Sequence, residues 1–129
     1  MATPGEKGDY SMDKAFEDKI SRIMEDRRYA HEQLTARKSK VYKSSMEMEK
    51  NAFSGGSLDR RIKEIIALGI SAVINCESCM EWHIKQALDS GAKEKEIIEA
   101  IEVWLEMGGG PATVSSRFAL RVLEYYRGK

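Results

Sequence analysis

Breaks at Ser54-Gly55-Gly56-Ser57, Asn75, Gly91 and Gly108-Gly109-Gly110-Pro111 divide this chain into segments of helix length, and they limit its fold more than any other feature. Between the breaks, apolar residues recur at helical spacing, and nothing reads as a convincing strand. Leu58, Ile62, Ile65, Ile66, Gly69, Ile70 and Val73 make a wide apolar face on a helix expected from about Leu58 to Ile74, with Ser57 as its cap. A face that wide predicts a central, mostly buried helix. The next helix is expected from near Cys76 to Ser90, ended by Gly91 in the left-handed conformation. Another runs from about Lys93 to Met107, with Ile97, Ile98, Ile101, Trp104 and Leu105 on one side. The last, about Ala112 to Tyr126, carries Val114, Phe118, Val122 and Leu123. Upstream, Phe16, Ile20, Ile23 and Met24 mark a narrow stripe on a first helix, and a looser pattern from Val41 to Phe53 marks a second. The expected fold class is all-α, a compact bundle of about five to six helices.

The 129 residues suit a single domain, expected over 12–129 behind a disordered lead at 1–11 rich in Gly, Pro and charge. Lysine plus arginine and aspartate plus glutamate both number 21, so no net field draws in nucleic acid or an anionic membrane. No apolar run reaches membrane-spanning length, and no secretory leader is evident, so the expected localisation is cytoplasmic. Six basic residues between Arg27 and Lys43 (Arg27, Arg28, Arg37, Lys38, Lys40, Lys43) face one acid, Glu32. Without interleaved aromatic platforms, a solvated helix face is the favoured reading of that stretch. His31 reads as an ordinary helix histidine, and Trp82 and Trp104 as core or subunit-contact residues.

Both cysteines of the chain stand in one Cys76-Glu77-Ser78-Cys79 motif. In a reducing compartment such a pair is redox-active, metal-binding or merely buried, not a structural staple. At a spacing of three, the two thiols share a helix face and can close a disulfide across a short loop. His83 follows one turn after Cys79, on the same stripe. The positive end of the helix favours the thiolate, and an imidazole nearby can take the thiol proton and return it. Glu64, amid the apolar helix upstream, has two readings of equal weight. It either orients His83 as the third member of a relay or lies exposed beside Arg60, Arg61 and Lys63.

Glu64, eleven intervening residues, and then Cys76-x-x-Cys79-x-x-x-His83 form a pattern with specific flanks. These are Gly56-Ser57-Leu58-Asp59, the Glu-Ile-Ile-Ala-Leu run, Gly91-Ala92, and an Ile/Glu-rich helix ending in glycines. Over residues 41–126 the chain resembles the alkylhydroperoxidase D-like branch of the carboxymuconolactone decarboxylase superfamily. The resemblance implies a compact all-helical fold assembled as a homo-oligomer, trimer or hexamer, with active sites near subunit contacts. It implies Cys79 as the attacking thiolate, Cys76 as the resolving thiol, and His83 and Glu64 as the proton relay. Some members of the branch carry a second histidine between the cysteines, where this sequence has Ser78.

The expected function is that of a thiol–disulfide oxidoreductase of alkylhydroperoxidase type. It would act on a small hydroperoxide or a disulfide, and be reset by an external dithiol such as a lipoyl group on a carrier protein, with no bound cofactor. Two alternatives are compatible with the same residues. Cys76, Cys79, His83 and Glu64 could make a zinc or redox-sensing module, although a structural zinc site usually adds a second Cys or His pair. A lactone decarboxylase would not depend on the two cysteines.

Overall fold

The computed structural model describes residues 13–127, so the lead expected over 1–11 lies outside them. Among the described residues the regular elements are helices: α1 (Lys14–Ala36), α2 (Lys40–Phe53), α3 (Arg60–Val73), α4 (Glu77–Asp89) and α5 (Glu94–Arg127). The all-α expectation holds. Four helix starts have a side chain that satisfies an amide left free at the N-terminus. Asp13 accepts from the N–H of Phe16, Ser39 from Tyr42, Asp59 from Ile62, and the sulfur of Cys76 from Cys79.

The cap of α3 corrects the sequence reading. Asp59, not Ser57, holds the cap, and the helix starts at Arg60. A carboxylate caps at least as well as a hydroxyl and adds negative charge at the positive end of the helix. Leu58, taken for the first core position, is consequently exposed.

Asn75 reverses the chain between α3 and α4 with a φ of 57°. Cys76 then donates its N–H to Ser71 O at 2.9 Å, and Asn75 Oδ1 accepts from Ser115 Oγ at 3.0 Å, which ties the turn to α5. α3 and α4 run antiparallel: Glu64 meets His83, and Arg60, one turn earlier, meets Gln86, one turn later. Gly91 ends α4 at a φ of 96°, as its position predicted. α5 bends at Gly109, whose φ of 64° and ψ of −147° lie in a region that glycine alone adopts readily. Pro111 starts the second half of α5, where its missing N–H costs little. Trp104 Nε1 donates to Ser116 Oγ at 2.7 Å and links the two halves across the bend.

Leu68 and Ala72 of α3, Met80, Ile84 and Ala87 of α4, and Ile97, Ile101, Trp104, Phe118, Ala119, Val122 and Leu123 of α5 form the core. Phe16 and Ile20 lay the start of α1 on it. Each fully buried side chain such as Ile84 or Ile97 contributes about 1.5–3 kcal/mol by leaving water. α2 has no buried residue and lies at the periphery.

The expectation that α3 buries most of its apolar face is overturned. Its buried stripe is Glu64, Leu68, Ser71 and Ala72, whereas Ile66, Ile70, Val73 and the following Ile74 are exposed, Ile70 by 58%. With Val103 and Met107 of α5 they line an open apolar groove of about 480 Å³. Apolar residues occupy so much of the circumference of α3 that periodicity alone could not tell which side meets α4. No helix among the described residues is long and apolar enough to cross a membrane.

Candidate active site

Cys76 and Cys79 are joined in a disulfide with a Cα–Cα distance of 5.2 Å. The arrangement follows from the turn at Asn75, which makes Cys76 the cap residue and sets Cys79 on the first turn of α4. The N–H of Cys79 points at Cys76 Sγ, 3.3 Å away. A donor at that position favours negative charge on the sulfur of Cys76 whenever the disulfide is open.

His83 lies one turn beyond Cys79 with a side chain only 16% exposed. Its Nδ1 is 2.7 Å from Glu64 Oε1. Glu64 is 1% exposed, so the exposed alternative for this residue is ruled out. Its other oxygen, Oε2, accepts from Arg60 Nε at 3.4 Å, and Arg60 is itself held by Gln86. A carboxylate accepts and does not donate, so Nδ1 carries the hydrogen and Nε2 is left as the basic atom of the ring. Phe53, from the end of α2, stacks on the imidazole with centroids 5.4 Å apart and planes 23° from parallel. The ring is thereby fixed at its edge by Glu64 and on its face by Phe53.

A cavity of about 930 Å³ opens between α1, α2 and α4. Cys79 and His83 stand in its wall, with Met24, Met46, Phe53, Tyr42 and Trp82 supplying apolar and aromatic surface. Trp82 is thus a cavity residue, whereas Trp104 is core, as expected for it. His31, read as an ordinary helix histidine, bonds Tyr42 Oη through Nδ1 at 2.7 Å and helps hold α2 against α1.

Two charged residues that are not among the named members of the sequence motif also belong to the site. Arg27, assigned to a solvated basic face, is drawn into the site instead. Its Nη2 donates to Ser78 O at 3.0 Å and to Ser78 Oγ at 3.2 Å, and its guanidinium covers the ring of Trp82 at 5.0 Å. The same Nη2 lies 2.7 Å from Oε1 of Glu81, which is fully buried. The hydroxyl of Tyr126 donates to the other oxygen of Glu81. Burial, and then the Glu81 carboxylate beside it, push the Tyr126 hydroxyl well above its ordinary value of 10.0. Glu81 stands on the stripe Met80, Glu81, Ile84, Ala87, a row that a helical pattern assigns to the core. An acid there demands a partner, and that was the available signal.

Residues 39–123 match the model of the carboxymuconolactone decarboxylase family. A Paracoccus denitrificans protein described as protein 4 in the cox locus, itself uncharacterised, is 40% identical over 77 residues, which span 60% of this chain and 69% of that one. An uncharacterised Cupriavidus necator protein is 34% identical over 77 residues, 60% of this chain and 66% of that one. The crystal structure of a carboxymuconolactone decarboxylase family protein from Legionella pneumophila superposes with a TM-score of 0.80 at 25% identity, covering 84% of this chain and 97% of that one. A Thermotoga maritima member, for which a part in an antioxidative response has been suggested, gives a TM-score of 0.76 at 29% identity, covering 83% and 91%. By its sequence match and by its fold, the chain belongs to the carboxymuconolactone decarboxylase family.

Proposed function

We propose that this protein is a dithiol oxidoreductase of the alkylhydroperoxidase D-like kind, which reduces organic hydroperoxides through Cys79 and Cys76. The observation that carries the reading is the contact of 2.7 Å between buried Glu64 and His83 Nδ1, one helical turn from Cys79 at the wall of a large cavity. A base with its second nitrogen fixed by a carboxylate, beside a nucleophile open to substrate, is the arrangement that activated-thiol chemistry needs. The antioxidative part suggested for the Thermotoga maritima relative agrees with it.

Cys79 lines the cavity, whereas Cys76 stands behind it as the helix cap. In the reduced enzyme, His83 Nε2 takes the proton of Cys79, the thiolate attacks the terminal oxygen of the hydroperoxide, and the O–O bond breaks to release an alcohol that takes the proton back from His83. Cys76 then displaces hydroxide from the oxidised Cys79, and the disulfide closes. An external dithiol resets the enzyme by attacking Cys79. Cys76 departs as a thiolate stabilised by the N–H of Cys79. A reducing cytoplasm, and a lipoyl-type or other dithiol donor, suit this cycle. The exposed apolar groove between α3 and α5 supports assembly as a homo-oligomer, trimer or hexamer.

A paired assay on Cys76→Ser and Cys79→Ser proteins tests the reading. Peroxide consumption and insulin disulfide reduction are followed with a dithiol donor present. Cys79→Ser abolishes both, and Cys76→Ser allows one oxidation and leaves a trapped adduct on Cys79. Unchanged activity in both variants would sink the dithiol mechanism. Lactone decarboxylation by a protein lacking both cysteines would point to the other chemistry of the family. Turnover of insulin without peroxide consumption would keep the dithiol and discard the hydroperoxide.

A further inference from the structure

The proton relay leaves one buried acid of the cavity without a task. Glu81 lies on α4 between Cys79 and His83, is fully buried, and lines the same cavity. Tyr126 serves its Oε2. Its Oε1 accepts no aligned hydrogen bond among the described residues and is balanced by the charge of Arg27 at 2.7 Å. Arg27 is 30% exposed, rests on Trp82, and also lines the cavity. Its contacts to Ser78 and Glu81 all fall on Nη2. A guanidinium carries five N–H donors, so those on Nε and Nη1 meet no acceptor among the described residues. Burying a carboxylate to hold an arginine on Ser78, between the two cysteines, is costly, and a fold-only role could be filled by apolar side chains.

We propose that Arg27 is a catalytic residue that binds the oxygen on which negative charge develops when Cys79 attacks a hydroperoxide, and that Glu81 and Ser78 position it. The inference rests on the hydroperoxide reading above. The Cys79 thiolate forms an S–O bond to the terminal oxygen. The O–O bond breaks, and its electron pair leaves on the alkoxy oxygen, so sulfur is oxidised and the peroxide reduced. Donors of Arg27 receive that oxygen as its charge grows. The His83 imidazolium then delivers to it the proton taken from Cys79, releasing an alcohol and leaving Cys79 as a sulfenic acid. Cys76 attacks the sulfenic sulfur, its thiol proton leaves with the hydroxyl as water, and the disulfide forms. Fixed donors aimed at developing charge contribute mostly to the rate of the step in which the charge appears. Glu81 cancels the net charge of Arg27, so the effect comes from directed N–H groups rather than from a long-range field.

The experiment compares two half-reactions in three proteins: wild type, Arg27→Met, and the double variant Arg27→Met/Glu81→Leu, which removes the acid along with the base so that no buried charge is stranded. Reduced protein is mixed with cumene hydroperoxide, and oxidised protein with dithiothreitol. In the second step charge develops on the sulfur of Cys76, not on oxygen. In both variants the ratio of oxidation rate to reduction rate should fall by about 10²-fold. Wild-type oxidation by the double variant would overturn the assignment. So would equal slowing of both steps, which would make Arg27 only a brace for the first turn of α4. Wild type that exchanges with dithiothreitol yet ignores the hydroperoxide would overturn the hydroperoxide reading itself.

Discussion

Glu64→Gln is expected to slow oxidation of the reduced protein by cumene hydroperoxide by about 10²–10⁴-fold, the range that positioned acid–base catalysis supplies. The melting temperature should stay within roughly 4 °C of wild type, because glutamine has the same shape and, with its amide flipped, can still pair with both His83 and Arg60. The difference between the two effects lies in the charge. Glu64 is 1% exposed and touches His83 Nδ1 with one oxygen and Arg60 with the other. As a carboxylate it can only accept, so it fixes the hydrogen on Nδ1 and, in the proposed relay, would stabilise the imidazolium formed when Cys79 gives up its proton. A carboxamide can flip and present its N–H₂ to Nδ1, which holds the hydrogen on Nε2 and disables the base. Stopped-flow oxidation and a thermal melt on the same preparation read both quantities. A rate within threefold of wild type would remove Glu64 from the relay. Glu64→Ala would be a poorer test, since a void in the buried stripe of α3 would confound loss of chemistry with loss of packing.

The motif was legible because its members are close in sequence. Cys76, Cys79 and His83 share one helix, and the spacing of three and four residues is enough to bring them together. The helix breaks were legible for a similar reason: Gly91 and Gly109 stand where the backbone adopts a positive φ. What could not be read was which side of a helix meets which neighbour. α3 carries apolar residues on most of its circumference, so its pattern permitted Glu64 to point either way. Only the antiparallel pairing with α4, fixed by the short turn at Asn75, decides it. Arg27 was assigned to solvent because its partners lie 51 residues away at Ser78 and further still at Glu81. Local charge counting over 27–43 is blind to such pairs. Glu81 itself was readable in principle, since an acid on a core stripe implies a cation arriving from another element.

That pair gives the largest expected effect on stability, and the effect is asymmetric. Arg27→Met strands a carboxylate whose side chain is 1% exposed, with only the Tyr126 hydroxyl left to serve it. Breaking a buried ion pair from one side typically costs 3–5 kcal/mol; with Arg27 itself 30% exposed, the lower end applies, about 3 kcal/mol. For a chain of this size that lowers the melting temperature by roughly 10 °C. Glu81→Leu removes the other member, but the guanidinium it frees can turn into the cavity and find water. The Tyr126 hydroxyl is only half-buried and can do the same. The loss there should be about 1 kcal/mol, that of an ordinary hydrogen bond. Combining the two leaves neither charge buried, so Arg27→Met/Glu81→Leu should regain most of the stability that Arg27→Met lost. The single losses will not add, and the double-mutant cycle should return a coupling of about 2–3 kcal/mol. Thermal and urea unfolding of the four proteins measure it. Additive losses would mean that Arg27 and Glu81 are each held by something other than one another. Strong coupling, together with a double variant that folds well but reacts slowly with hydroperoxide, would separate what the pair does for the fold from the role proposed for Arg27 in the reaction of Cys79.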